Sequence, residues 1–483
     1  MDPVILTVFI IYMGIVLAIG FAAARRARGA EGFFLADRGL GAWVVGISAA
    51  ASSESSWLLM GCVGMGFTEG VAALWIAVGC LAGFCLNWFA VAERLRRRTG
   101  ELGAVTVPDF IEAQVGDTSG AIRAVAVLII LLLMFTYVAA QLTGMGKAFD
   151  AMLGIPYQWG VILGAAITII YTTAGGFRAV SWTDVLQGAM MAVALTLLPM
   201  FLIGLMGGPG PFWERLAAQE AETVLTSITG GRASLAFLGF LIGMLGIGLG
   251  YPGTPHVITR FMAARGPREI AQGRVIAITW GVVSLFGAIF LGMAVRCLIP
   301  DLADPEHGIL AAAERYLSPV LAALVLAAVV SAARSTVDSQ LLVATSAVAH
   351  DAYRKLFRRD LADRRMLILC RAVVIALGLA AIGLALTETR VVFWFVLFSW
   401  AGLGASFGPV ILLSLYWRGL TRWGALTGIV TGFGVVLLWK LYLRKLLEQS
   451  VGVDVYELVP AFFIAVAVAV AVSLLTRDRG DSG

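Results

Sequence analysis

Charge is what this 483-residue sequence has least of. Asp, Glu, Lys and Arg make up 13% of it, against about 25% in a soluble domain, while hydrophobic residues make up 60%. So few charges cannot cover a water-exposed surface of that length, and lipid must be the solvent for most of the chain. Cysteine is scarce too: Cys62, Cys80, Cys85, Cys297 and Cys370 form an odd set in or beside apolar segments. That pattern argues against a disulfide framework or a clustered metal site and reads as buried thiols. The three histidines, His256, His307 and His350, are dispersed, with no nucleophile, base and orienting group around them, so the sequence does not read as an enzyme. The net charge of +5 sits in short clusters between apolar runs, as membrane orientation requires and nucleic-acid binding does not. No basic segment precedes the apolar run at Pro3 and no small-residue cleavage site follows it, so a retained helix is expected there.

What the sequence does have is one apolar run after another, each near the 20 residues that cross about 30 Å of hydrocarbon; the mean hydropathy is +0.92. About thirteen spans are expected, beginning near Pro3, Trp43, Val71, Ala121, Tyr157, Trp182, Ala233, Val275, Leu317, Met366, Val391, Thr421 and Val455. With the N-terminus outside, the connections after odd-numbered spans face the cytoplasm and should hold the basic residues. They contain Arg25, Arg26 and Arg28; Arg94, Arg96, Arg97 and Arg98; Arg178; Arg260, Arg265 and Arg268; Arg354, Lys355, Arg358 and Arg359; and Arg418 and Arg422. The opposite connections hold Glu214, Glu220 and Glu222, then Asp301, Asp304 and Glu306, with Arg444 and Lys445 as the exception. The expected setting is a plasma membrane of the bacterial inner-membrane type, with a cytoplasmic C-terminus. Residues 1–483 read as a single integral membrane domain. A peripheral helix at about 3–24 precedes two five-helix units at about 43–205 and 233–416, and two further helices follow at about 421–476. Five is odd, so the second unit runs through the membrane opposite to the first. Such inverted repeats place binding sites near the midplane, on interrupted helices.

Polar residues are concentrated in a few spans. Ser48, Ser52, Ser53, Ser55 and Ser56 surround Glu54 in the second span, just before Trp57. Serine side chains compete for backbone hydrogen bonds, and local unwinding frees carbonyls for a hard cation such as sodium. Small-residue packing with hydroxyl cross-links is the plainer reading. Glu54 weighs against it, because a central acid costs about 2.5 kcal/mol or more on insertion scales. In the ninth span Ser331, Arg334, Ser335 and Asp338 share one helical face. Arg334 can pair with Asp338 four residues on, or with Glu54 if the two spans touch. Glu54, Asp184 and Asp338 against Arg334 leave two uncompensated negatives at membrane depth. Asp184, six residues beyond Arg178, is expected to be the most solvated of them. The run Gly246 to Pro255, with Tyr251 inside it, cannot hold a regular helix and reads either as a cavity wall or as a helix end. Tyr137 and Gln141, four apart, form a further polar patch.

In order along the chain stand Ser48-Ala49, Trp57-Leu-Leu-Met-Gly61, Ala179-Val-Ser-Trp-Thr-Asp184, Gly248-Leu-Gly-Tyr251, Pro255-His256, Arg260-Phe-Met-Ala263, Ser335-Thr336, Ser399 to Pro409 and Gly424-Ala425-Leu426. In these motifs the sequence resembles the sodium:solute symporter family, and specifically its sodium/proline branch, over nearly its full length. The resemblance implies an all-α LeuT-type transporter of five-plus-five inverted repeats that imports a small organic solute, foremost proline, with Na+ by alternating access. It assigns sodium to Ala51, Glu54 and Ser55 with Ala332, Ser335 and Thr336. It assigns the solute to Trp57, Tyr137, Tyr251 and Pro255 with Ser52 and Ser56 close by; Gln141, four residues from Tyr137, and Ile247, where the branch has a Trp, complete the candidate solute residues. Asp184, with Asp338 and Ser339, stands as a second cation or proton site, and Glu54, Arg334 and Asp338 as coupling residues. The partners implied are a small-molecule solute and the lipid bilayer, with no nucleic acid and no obligate protein partner. Three positions depart from the branch: Ser53 replaces an Asp while Glu54 replaces a neutral neighbour, Arg334 replaces a neutral residue, and Ile247 replaces a Trp. They leave open a proton-coupled or sodium-independent carrier that uses Glu54 and Arg334. A solute sensor without transport is the reading from another class.

Overall fold

The computed structural model of the protein describes residues 2–24, 29–219, 224–358, 361–387 and 392–477. Arg25, Arg26, Arg28, Glu220, Glu222 and Arg359 of the charged connections lie outside them. Nearly all described residues are helical, and the isolated parallel bridge of Leu40 with Ala264 is the one strand-like pairing among them. The helices that shape the site are numbered in chain order: α1 Pro3–Ala24, α2 Ala42–Ser56, α3 Leu74–Cys85, α4 Ala121–Leu153, α5 Tyr157–Leu205, α6 Ser234–Gly246, α7 Pro255–Met262, α8 Pro267–Leu298, α9 Pro319–Ser346, α10 Asp363–Thr387, α11 Val392–Tyr416, α12 Arg422–Leu438 and α13 Leu458–Thr476.

Among the described residues, 11 helices are long and apolar enough to cross a membrane, against the thirteen or so expected, and the difference lies in two places. Ala42–Glu101 is one 60-residue stretch, about 90 Å of helix, in which Gly70 at φ +57° separates the expected second and third spans. Tyr157–Ile170 is apolar but shorter than the rest. The fifth and sixth expected spans are joined without a loop in α5, a 49-residue helix that departs from helical geometry at Gly176 (φ +56°, ψ −162°). Glycine is required there twice over, by the left-handed φ and because a Cβ would lie 2.7 Å from the Phe33 ring.

Burial separates centre from periphery. The most apolar windows of the α9 and α11 spans are each 83% buried, while those of the α10 and α12 spans are 22% buried and face outward. At the centre α9 packs against α2, α4 and α5, and α8 packs against α2. Lipid gives helices no hydrophobic reason to associate, so close backbone approach at small residues must hold them. Gly292 of α8 meets Val63 and Phe67, and Gly66 meets Ile289 in return. A Cβ on Gly292 would lie 2.7 Å from the Phe67 amide nitrogen. Gly292→Leu is therefore expected to destabilise the protein by about 1–3 kcal/mol, seen as a lower thermal midpoint of the purified protein, whereas Gly434→Ala, where nothing lies within 4 Å, should leave it unchanged.

Candidate functional site at the two helix breaks

The serine run breaks α2. Ser55 adopts φ +52°, ψ −168° inside the helix, a conformation costing of order 1–3 kcal/mol for a residue with a Cβ. Local bonds hold the break: Ser53 Oγ donates to the Ala50 carbonyl at 2.8 Å and the Trp57 amide donates to Ser55 Oγ at 3.2 Å. Gln141 Oε1 accepts from the Ser56 amide at 3.0 Å and from Ser56 Oγ at 2.7 Å. Ser56 and Gln141 thus tie the start of the second half-helix to α4. On the other side of the break, Ser335 Oγ donates to the Ala51 carbonyl at 3.3 Å and Thr336 Oγ1 to the Ser52 carbonyl at 3.2 Å. Both hydroxyls also reach the Ala332 carbonyl, at 3.1 and 3.3 Å. Five neutral oxygens from α2 and α9 therefore converge, the donor set a hard cation prefers.

The second break, at Ile247–Gly253, follows α6 as a short 3-10 turn containing Pro252. It packs on α11: Trp400 Nε1 donates to the Ile247 carbonyl at 3.0 Å, and a Cβ on Gly253 would meet Gly404 and Gly408 at 2.6–2.7 Å. Between the two breaks lies a cavity walled by Ser53, Trp57, Tyr137, Ile247, Tyr251 and Trp400, among others, closed down to about 10 Å³. Phe393 stacks on Trp57, with ring centroids 5.5 Å apart, and covers one side. Glu306 holds that lid, accepting the Val392 and Phe393 amides at 3.1 and 2.9 Å and pairing with Lys147 at 3.0 Å. Pro255 opens α7 just beyond the turn.

Glu54 and Arg334 do not face each other. Glu54 Oε1 accepts from Tyr251 at 2.5 Å and from Ser53 at 3.4 Å, and Glu54 makes no ion pair among the described residues. Arg334 reaches Asp338 at 3.9 Å and Met13 Sδ of α1 at 3.9 Å. Asp338 also accepts from Thr172 of α5 at 2.6 Å, and Tyr12 of α1 bonds Ser331. The cause is rotational: one residue turns a helix by about 100°, which points Glu54 toward the 247–253 turn and Arg334 toward α1.

Two expectations about charge need correction. Asp184 is not the solvated acid but is fully buried, because α7 lays Arg260 against it. Arg260, expected in a cytoplasmic connection, is itself fully buried. It donates to Asp184 Oδ2 at 3.2 Å, Ser48 Oγ at 3.0 Å and Ser52 Oγ at 2.8 Å, bonds Ser339 Oγ and the His256 carbonyl, and lies 5.0 Å over the Phe177 ring. Ser48 and Ser52 donate to the same Asp184 oxygen at 2.6 and 3.3 Å. Ser52 therefore faces Asp184 and Ser339 and does not line the cavity between the breaks, while Asp338 belongs to the Arg334 side. With Arg260 counted, Glu54, Asp184 and Asp338 stand against Arg260 and Arg334, and the surplus in that set is one negative charge instead of two.

Sequence reasoning also missed Trp400, Phe393 and the contribution of α1. The Arg260-Phe-Met-Ala263 motif was the available signal for Arg260, hidden by its proximity to Arg265 and Arg268.

Residues 33–432 match the sodium:solute symporter family. The chain belongs to that family. It is a sodium-coupled symporter of a small solute in a membrane, not an enzyme, and Na+ is its co-transported ion. The chain is 34% identical to the high-affinity proline transporter PutP of Bacillus subtilis, over 95% of this chain and 96% of that one. It is 34% identical to the sodium/proline symporter of Staphylococcus aureus, over 97% and 92%. Among solved structures, a Na+-coupled sialic acid symporter in a substrate-bound outward-open state superposes with a TM-score of 0.81 at 20% identity, covering 99% of this chain and 98% of that one. The nucleobase-cation-symport transporter MHP1 superposes at 0.54 with 14% identity, covering 93% and 96%. The fold of this symporter is accordingly the LeuT type.

The buried pair generates a prediction. Breaking a buried ion pair from one side costs about 3–5 kcal/mol, because the remaining charge is left uncompensated. Asp184→Asn and Arg260→Met should each lower the thermal midpoint of the purified protein, and the double variant should fall by less than the sum of the two; strict additivity would show that the pair is not coupled.

Proposed function

We propose that the protein imports proline or a closely related amino acid with sodium by alternating access, with the N-terminus outside and the C-terminus in the cytoplasm. The observation that carries the reading is the convergence of the Ala51, Ser52 and Ala332 carbonyls with the Ser335 and Thr336 hydroxyls beside an aromatic-walled cavity. Sodium replaces the cross-helix hydrogen bonds of Ser335 and Thr336 and holds α9 against the broken α2. The solute sits against Trp57, Tyr137 and Tyr251, and Ile247 leaves a smaller wall than a Trp would. The proline assignment is supported by the proline transporters among its relatives.

Arg334 does not substitute for sodium in this reading, because its contacts run to Asp338 and to α1. Arg260 does stand in for a second cation: it bonds the Asp184, Ser52 and Ser339 oxygens that would otherwise ligate one. One sodium per cycle follows, with basic connections on the cytoplasmic side setting the orientation.

Radiolabelled proline uptake into proteoliposomes tests this. An inward sodium gradient at matched membrane potential should drive accumulation, with a Hill coefficient for sodium of about one. Ser335→Ala and Thr336→Ala should each raise the half-saturating sodium concentration about tenfold, the loss of roughly one ion-directed bond, while proline affinity at saturating sodium changes little. An unchanged sodium response in both variants would sink the ligand assignment, and sodium-driven uptake of another solute but not proline would move the solute assignment alone.

A further inference from the structure

A cavity of about 400 Å³ lies outside the transport path, between the end of α1, the turn at Gly176 and the segment that pairs with Ala264. Its apolar wall is built from Ile19, Ala22, Ala23 and Leu40, and its polar side chains are Arg178, Trp182 and Arg265. No carboxylate lines it among the described residues. The acids that pair with the two arginines are not among the lining residues: Arg178 donates to the Ala36 carbonyl at 2.9 Å and pairs with Asp37 at 3.2 Å, and Arg265 pairs with Glu269 at 3.9 Å. Backbone contacts bring the two arginines to the same cavity: the Arg265 amide donates to the Leu40 carbonyl at 3.0 Å, and a Cβ on the neighbouring Gly39 would lie 3.6 Å from Arg178 Nη2.

The position of the cavity identifies its chemistry. α1 is an apolar span that ends at its edge, and Gly176 is the turn between two apolar spans, so the cavity sits where hydrocarbon gives way to water. Trp182 is 48% exposed there, as interfacial indoles are. Two cations and an indole N–H above an aliphatic wall fit a phosphodiester joined to an acyl chain. We propose that this cavity binds the head group of an anionic phospholipid, with the phosphate between Arg178 and Arg265 and the chain along α1. Free phosphate shares the head-group chemistry but cannot use the aliphatic wall. A bound lipid would brace the turn at Gly176, next to Phe177, whose ring carries Arg260.

Native mass spectrometry of the full chain in mild detergent, titrated with phosphatidylglycerol or phosphatidylcholine, tests the proposal. The intact protein should retain phosphatidylglycerol in preference to phosphatidylcholine. Arg265→Gln, at a side chain 67% exposed, should weaken phosphatidylglycerol binding about fivefold. Arg268→Gln, an exposed arginine in the first turn of α8 and outside the cavity, should not. Millimolar inorganic phosphate should leave the bound lipid in place. Equal retention of the two lipids, equal effects of the two substitutions, or displacement by inorganic phosphate would each overturn the lipid site. Arg178→Gln adds a second arm if it folds; if it does not, Arg265→Gln decides alone.

Discussion

Carbonyl groups released by a helix break inside a membrane must find partners within the protein, because no water reaches them and each unsatisfied group costs several kcal/mol. The polar residues of this symporter are arranged around that constraint. Ser55 cannot remain helical at φ +52°, so the Ala51 and Ser52 carbonyls depend on α9, which supplies Ser335 and Thr336. The second half-helix depends on α4, which supplies Gln141. Much of the packing of α2, α4 and α9 around one another serves these few bonds.

A second constraint is charge. Glu54, Asp184 and Asp338 would be intolerable in hydrocarbon without compensation, and the protein places Arg260 and Arg334 beside Asp184 and Asp338 from different helices. Arg260 arrives from α7, immediately after the second break, so the helix that ends the 247–253 turn also neutralises Asp184. Arg334 stays on α9 and shares Asp338 with Thr172. Glu54 takes neither and leans on the Tyr251 hydroxyl, which makes the wall of the cavity between the two breaks part of the answer to a buried acid.

The fold class was legible because hydrophobic runs of about 20 residues report directly on hydrocarbon thickness, and the break in α2 because five serines and an acid have no place in a plain span. Other features were illegible for definite reasons. Periodicity shows which residues share a face but not what that face meets, so the Arg334 and Asp338 pair expected from spacing is present, while the Glu54 and Arg334 alternative, which depended on how the two spans meet, is not: Glu54 turns to Tyr251. Arg260 read as a connection residue because sequence distance from Arg265 says nothing about depth, and α7 is a short helix that carries the arginine inward. The turn at Gly176 was hidden because a single glycine at positive φ lets two spans follow each other without the polar loop that normally separates them. The role of α1, which meets Arg334 through Met13 and Ser331 through Tyr12, is a tertiary contact across more than 300 residues that no local pattern encodes.

In the proposed reading, the break in α2 is also where cation and solute influence each other. The oxygens that converge on α9 come from residues 51 and 52, and the cavity wall begins at Ser53 and Trp57, so the strained residue Ser55 lies between the two sites on one short segment. Drawing the Ala51 and Ser52 carbonyls toward α9 fixes the dihedral angles that aim Trp57, and Trp57 in turn carries Phe393 and the lid held by Glu306. Whatever one ligand contributes to ordering this segment the other no longer has to supply, and by linkage the effect is equal in both directions. In the proposed reading coupling therefore needs no long path through the protein; the seven residues 51–57, with non-helical geometry at Ser55, are sufficient.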